Sequence, residues 1–165
     1  MINIYILNKS NNKKLSNYIL NYAYRDIYNE DIDLSLITKN NYGKPYYNDK
    51  FYYNISHSKN YIVIATSNQE IGIDIEEDRK YQDKLQDKIL SNNEQIIDNN
   101  ILINWVIKEA YSKYKGIGYG IDFKTINTND LLNDSNLKNI STDNYICYIY
   151  SPDTINKIEI IKATI

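Results

Sequence analysis

The run Ile71-Gly72-Ile73-Asp74-Ile75-Glu76 sets two carboxylates two residues apart in a strand-like segment. Side chains along a strand alternate between faces. Ile71, Ile73 and Ile75 are therefore expected to enter a core, with Asp74 and Glu76 side by side on the other face. Like charges so placed repel. A hard divalent cation with oxygen ligands is one way to offset them, and the solvated face of a strand is the plain alternative. A third carboxylate, Glu109, lies in Trp105-Val106-Ile107-Lys108-Glu109-Ala110-Tyr111-Ser112-Lys113, with Lys113 four residues on and so on the same helical face. As a surface ion pair it is worth only about 0.3–0.5 kcal/mol. As chemistry it is a metal ligand followed by a cation for phosphate. Three carboxylates with no thiol among them and a single histidine favour Mg²⁺ over zinc.

Other segments offer groups that bind anions. Gly43-Lys44-Pro45 is a turn signal that can also hold a cation at a rigid corner. Asn54-Ile55-Ser56-His57-Ser58 carries the one histidine, flanked by hydroxyls, at the end of a strand-like run; a ring nitrogen can donate to phosphate. Ser91-Asn92-Asn93-Glu94 matches a capping box. A general-base role for Glu94 needs support from elsewhere.

The elements that must position these groups follow from periodicity. Ile2–Leu7 alternates as a strand, and Leu15–Tyr28 carries apolar residues at helical spacing. Phe51–Ile55, Tyr61–Thr66 and Ile71–Glu76 read as three short strands joined by short polar links, as in a meander or successive hairpins. Glu77–Asn100 reads as short helices. Ile101–Lys115 is the strongest helix, with Gly116 as its stop. Tyr145–Tyr150 and Ile158–Ala163 read as a closing pair of strands. The order predicts an α+β fold with helices packed on mainly antiparallel sheets.

The 165 residues suffice for one domain or two small halves sharing a core. A net charge of −2 argues against general nucleic-acid binding, and the lone Cys147 precludes an intrachain disulfide, which suits a reducing cytoplasm. The first eight residues are too short and too interrupted for a signal peptide, and no run reaches the length of a membrane span. The eighteen tyrosines are expected to stand in for Phe and Leu at half-buried positions.

Taken together, Gly43-Lys44-Pro45, FYYNISHS (51–58), IGIDIE (71–76) and WVIKEAYSKYKGIG (105–118) resemble, in order and spacing, the 4′-phosphopantetheinyl transferases of the surfactin-synthetase-activating type. The resemblance runs from about Gly43 to Gly120. It implies two similar α/β halves related by a pseudo-twofold with a cleft between them: residues 1–95 with the GKP, SHS and DxE motifs, and 96–165 with the WxxKE helix, in one compact unit. It implies transfer of phosphopantetheine from coenzyme A to a serine of an apo acyl or peptidyl carrier protein, releasing 3′,5′-ADP. Asp74, Glu76 and Glu109 would hold Mg²⁺ against the pyrophosphate. Lys44, Ser56 and His57 would contact the phosphates, and Lys113 would stabilise charge as the phosphoanhydride breaks. Lys108 belongs to the same motif as a further coenzyme A contact. Glu94, Glu109 or a metal-bound water would deprotonate the acceptor serine. A cytoplasmic monomer with no nucleic-acid or membrane partner is expected.

The chain also departs from the family pattern. Only 42 residues precede Gly43, where longer members have a more extensive N-terminal half. Lys59 stands where a glycine is frequent. Lys9, Lys13, Lys14 and Arg25 are possible substitutes for missing basic residues, although no motif supports them. Two other readings stay open: a non-catalytic nucleotide- or anion-binding module of the same fold, and a Mg²⁺-dependent pyrophosphate hydrolase.

Overall fold

The structure, a computed structural model, describes residues 1–8, 15–77 and 84–161. Lys9, Lys13 and Lys14 lie outside them. The chain runs β1 (Ile2–Asn8), α1 (Leu15–Tyr28), β2 (Thr38–Lys39), β3 (Pro45–Tyr46), β4 (Tyr52–His57), β5 (Tyr61–Ser67), β6 (Gly72–Glu76), α2 (Lys84–Ile89), α3 (Ile101–Lys115), α4 (Thr128–Leu132), β7 (Leu137–Asn139), β8 (Ile146–Tyr150) and β9 (Ile155–Ile161). It is a mixed α+β fold. One sheet has the order β4-β5-β1-β9, the other β6-β8-β7, and β2 pairs with β3 alone. Every pairing is antiparallel except β1 with β9. Among the described residues, no helix is long and apolar enough to cross a membrane.

Period-two alternation builds the layers. On β1, Ile2, Ile4 and Ile6 point between the two sheets and meet Ile71, Ile73 and Ile75 of the β6 segment and Cys147 and Ile149 of β8. Tyr5 and Leu7 point the other way, onto Ile19, Leu20 and Ala23 of α1. On β8, Tyr148 and Tyr150 turn outward to meet Val106, Ile107 and Ala110 of α3. The order is thus α1, first sheet, second sheet, α3. The even-numbered residues of β6, opposite the buried isoleucines, face α3. Several tyrosines are core residues rather than half-buried ones: Tyr5, Tyr24 and Tyr53 are all buried.

Two expected connections differ. β5 and β6 do not continue a meander: β6 leaves for the second sheet, where it pairs with β8. The last two strands do not pair with each other, because β9 crosses back to lie parallel beside β1. Each sheet therefore draws strands from both sides of residue 95. Strand-like periodicity identifies strands but carries no information about partners, which long-range packing decides.

Gly72 sets the distance between β6 and α3. A Cβ there would lie 2.0 Å from the Ala110 carbonyl oxygen and 2.3 Å from the Tyr114 amide nitrogen. Backbone atoms cannot give way as side chains do. Gly72→Ala is expected to cost about 3 kcal/mol or more, at the upper end for overpacking, read as a lowered urea midpoint.

Candidate active site

β4 and β6 are edge strands of different sheets that lie against each other. With no backbone ladder between them, the outward N–H groups of β6 need other acceptors. Side chains of β4 supply them at every second residue. Asn54 Oδ1 accepts from the Ile73 amide (3.0 Å), Ser56 Oγ from the Ile75 amide (3.4 Å) and Ser58 Oγ from the Glu77 amide (2.9 Å). The Asn-x-Ser-x-Ser spacing in 54–58 carries this seam, because alternation puts the three polar side chains on one face of β4. Ser56 is consequently buried, and its hydroxyl also donates to Asp74 Oδ1 at 2.6 Å. Ser58 Oγ lies 3.5 Å from Glu76 Oε2.

α3 brings the other half of the site. Asn100 caps its start by accepting from the Leu102 amide, and Gly116, at φ 69°, ends it in the left-handed conformation. Glu109 and Lys113 share its β6-facing side. Lys113 Nζ donates to Asp74 Oδ1 (2.6 Å), Ser56 Oγ (3.1 Å) and the Ile73 carbonyl (3.3 Å). Glu109 is buried, and its pKa is pushed up to about 7, first by burial and then by the charge of Asp74, with Lys113 opposing and Glu76 adding. Two buried carboxylate oxygens, Asp74 Oδ2 and Glu109 Oε1, have no hydrogen-bond partner.

The 40–44 loop closes one side. Asn40 Oδ1 accepts from the Tyr42 and Lys44 amides, and its Nδ2 donates to the Gly116 carbonyl at 2.7 Å. Gly43, at φ +86°, permits the tight reversal. Lys44 Nζ pairs with Glu70 and donates to the Tyr114 carbonyl at 3.1 Å, a cation at a helix C-terminus where carbonyls lack partners. Burial pulls the pKa of Lys44 down, against the pull of Glu70. Lys44, Asn54, Glu109, Lys113 and Gly116 line a cavity of about 230 Å³.

The sequence-predicted residues thus separate into groups. Asp74, Ser56, Glu109 and Lys113 come together, with Lys44 on the same cavity and Glu76 next to Asp74 on β6. His57 lies on the opposite face of β4, exposed, with Nε2 2.7 Å from Ser16 Oγ on α1. Arg25 is on α1 and pairs with Asp31. Glu94 and Lys108 form a separate cluster. Both side chains are fully buried, and Lys108 Nζ donates to Glu94 Oε2 (2.6 Å) and to the carbonyls of Ile89 (2.6 Å) and Phe123 (2.9 Å), which uses all three of its protons. Glu94 Oε2 also accepts from the Ser91 amide, the capping-box contact, here closing a turn rather than opening a helix. Its Oε1 accepts from the amide and hydroxyl of Thr128. Burial opposes the charge on Glu94, but Lys108, Ser91 and Thr128 together hold its pKa at about 2. Neither residue has a donor or acceptor to spare for a ligand. Asn54 and Glu70 are site neighbours that motif reasoning left unassigned.

The donor set suits a hard cation: two buried oxygens, on Asp74 and Glu109, lack partners, and Glu109 senses the charges of both Asp74 and Glu76. As the side chains stand, with Lys113 against Asp74, no three His, Cys, Asp or Glu residues among the described ones converge into a cluster able to hold an ion.

A fold of two edge-joined sheets, with an acidic strand facing a Lys-Glu helix, defines a class. Residues 70–160, more than half of the chain and the whole of β6 and α3, match the 4′-phosphopantetheinyl transferase superfamily, and the chain belongs to that superfamily. Among characterised relatives, it is 37% identical over 102 residues to the 4′-phosphopantetheinyl transferase gsp of Aneurinibacillus migulanus, a match covering 56% of this chain and 42% of that protein. The chain thus spans less than half the length of this relative.

Proposed function

We propose that this protein transfers 4′-phosphopantetheine from coenzyme A to a serine hydroxyl of an apo carrier protein, with Mg²⁺ as cofactor. The observation that carries this reading is the pair of buried, unpartnered oxygens on Asp74 and Glu109 beside the Lys113 ammonium, at a cavity also lined by Lys44. Asp74, Glu76 and Glu109 would hold the ion, which when bound supplies Lewis-acid charge to a diphosphate.

The remaining work falls to this chain's own side chains. Attack of an alcohol on a phosphoanhydride needs positioning and charge stabilisation more than covalent chemistry. Lys113, on the rigid face of α3, offers positive charge to the leaving diphosphate. Lys44 offers a second cation from the facing loop. Ser56 acts through its neighbours, fixing Asp74 and the β6 backbone. Of the carboxylates considered as base for the acceptor serine, Glu109 is the one that lines the cavity. Glu94, held ionised by Lys108 and sealed from solvent, supports the packing of α3 instead.

Mass spectrometry of an apo carrier protein incubated with coenzyme A and Mg²⁺ tests the proposal, and a gain of the phosphopantetheine mass is the expected result. Release of nucleotide without a modified carrier selects a pyrophosphate hydrolase, and binding without turnover selects a ligand-holding module. We further propose that an outer phosphate of coenzyme A reaches past the edge of β4 to His57, on the face turned away from the cavity; His57→Ala should then raise KM for coenzyme A about tenfold, the equivalent of one charge-assisted hydrogen bond, with kcat little changed. Steady-state kinetics that instead show lost kcat at constant KM would exclude a phosphate-binding histidine.

A further inference from the structure

We infer that Lys113 is an internal competitor for the cation, so that the ion and a diphosphate-bearing ligand enter the site synergistically. The inference rests on the metal-site reading above and adds an order to it. The Lys113 ammonium has a complete seat of three oxygens: Asp74 Oδ1 at 2.6 Å, Ser56 Oγ at 3.1 Å and the Ile73 carbonyl at 3.3 Å. Next to that seat, Asp74 Oδ2 and Glu109 Oε1 are buried without partners. One positive charge is therefore bound on one side of an acidic group that one charge does not satisfy. A divalent ion approaching Asp74 meets a resident cation on the same carboxylate, and the two repel at short range.

The seat is also one that Lys113 can leave. Its side chain keeps 24% of its surface exposed and lines the cavity, whereas Asp74 retains only 7%. An anion in the cavity offers Lys113 the oxygens it would give up on Asp74. A diphosphate has enough oxygens to engage the lysine and still share the ion. Drawing Lys113 off Asp74 then exposes the second oxygen of that carboxylate to the metal. Linkage requires reciprocity: the factor by which the anion tightens metal binding is the factor by which the metal tightens anion binding.

The test is Mn²⁺ binding to the whole chain, by calorimetry and by electron paramagnetic resonance of free Mn²⁺, at one fixed pH for all variants. Lys113→Gln removes the competing charge. It should bind Mn²⁺ alone at least tenfold more tightly than the wild type, with the same stoichiometry, and Lys113→Met should agree. Added coenzyme A should tighten Mn²⁺ binding to the wild type by a larger factor than to either variant. Equal or weaker Mn²⁺ binding by folded variants, checked by circular dichroism, overturns the inference and leaves the metal site standing. No saturable Mn²⁺ binding by the wild type or the variants up to millimolar concentration removes the metal site, and the inference with it.

Discussion

Replacing Lys108 with Ala should lower stability by about 3–5 kcal/mol, the usual cost of leaving one member of a buried ion pair unpaired. For a chain of this size that corresponds to a fall in Tm of about 6–20 °C. The reason lies in the saturation of the cluster. Lys108 ties α3 to Ile89, Glu94 and Phe123 at once, and Glu94 passes the tie on to Ser91 and Thr128. Without the ammonium, a carboxylate and two carbonyls remain buried without that partner. The apolar double variant Glu94→Leu/Lys108→Met should recover much of the loss, because replacing both members of such a pair by hydrophobes of similar volume is often close to neutral. Thermal unfolding of the single and double variants decides it. A single variant as stable as the wild type would mean that the pair contributes nothing. The linkage has a definite sign. The pKa of Glu94 is lowered from 4.5 to about 2, so its contribution is complete above pH 4.5 and is lost as pH falls toward 2.

Glu109→Gln should reduce carrier modification about a thousandfold, the scale of losing a charge interaction made in the transition state, while stabilising the metal-free protein at neutral and alkaline pH. The opposite signs follow from one side chain. With the pKa of Glu109 raised from 4.5 to about 7, the folded protein keeps a proton between these values that the unfolded chain has already lost. Stability must then fall as pH rises through that window, by about 3 kcal/mol at most. Below pH 4.5 both states are protonated and the cost vanishes. The glutamine variant should therefore match the wild type at pH 4 and unfold at higher urea concentration at pH 8. Added Mg²⁺ should close the gap from the wild-type side alone, and its affinity should weaken below pH 7 as the proton competes. A wild-type stability profile that is flat between pH 4.5 and 8 in EDTA would exclude the buried, raised carboxylate.

Much of this was legible in the residues. The β6 alternation placed three isoleucines in the core and turned Asp74 toward α3, and helical spacing brought Glu109 and Lys113 to one side of α3. What could not be read were relations set by distant packing. Nothing local to β9 shows that it runs parallel to β1, and nothing local to β6 shows that it leaves its sequence neighbour for β8. Motif logic also merged two clusters into one. Lys108 and Glu109 are adjacent in sequence, but a step of one residue turns a helix by about 100°. One therefore serves a sealed structural network and the other the cavity. Glu94 was assigned by its place in the family pattern, which does not show that Lys108, Ser91 and Thr128 take up both of its oxygens.

The seam of Asn54, Ser56 and Ser58 has a consequence for how the acidic strand finds its place. An ordinary ladder accepts any neighbour with a free main chain, so a strand can slide along it by two residues and lose little. Here the partner is a key with three teeth, cut to a fixed pitch. A slide of two residues would pair each tooth with a different amide and carry Gly72 away from its close approach to the main chain of α3. The reading frame of β6, and with it the height at which the carboxylates stand, is thus encoded in the neighbouring strand.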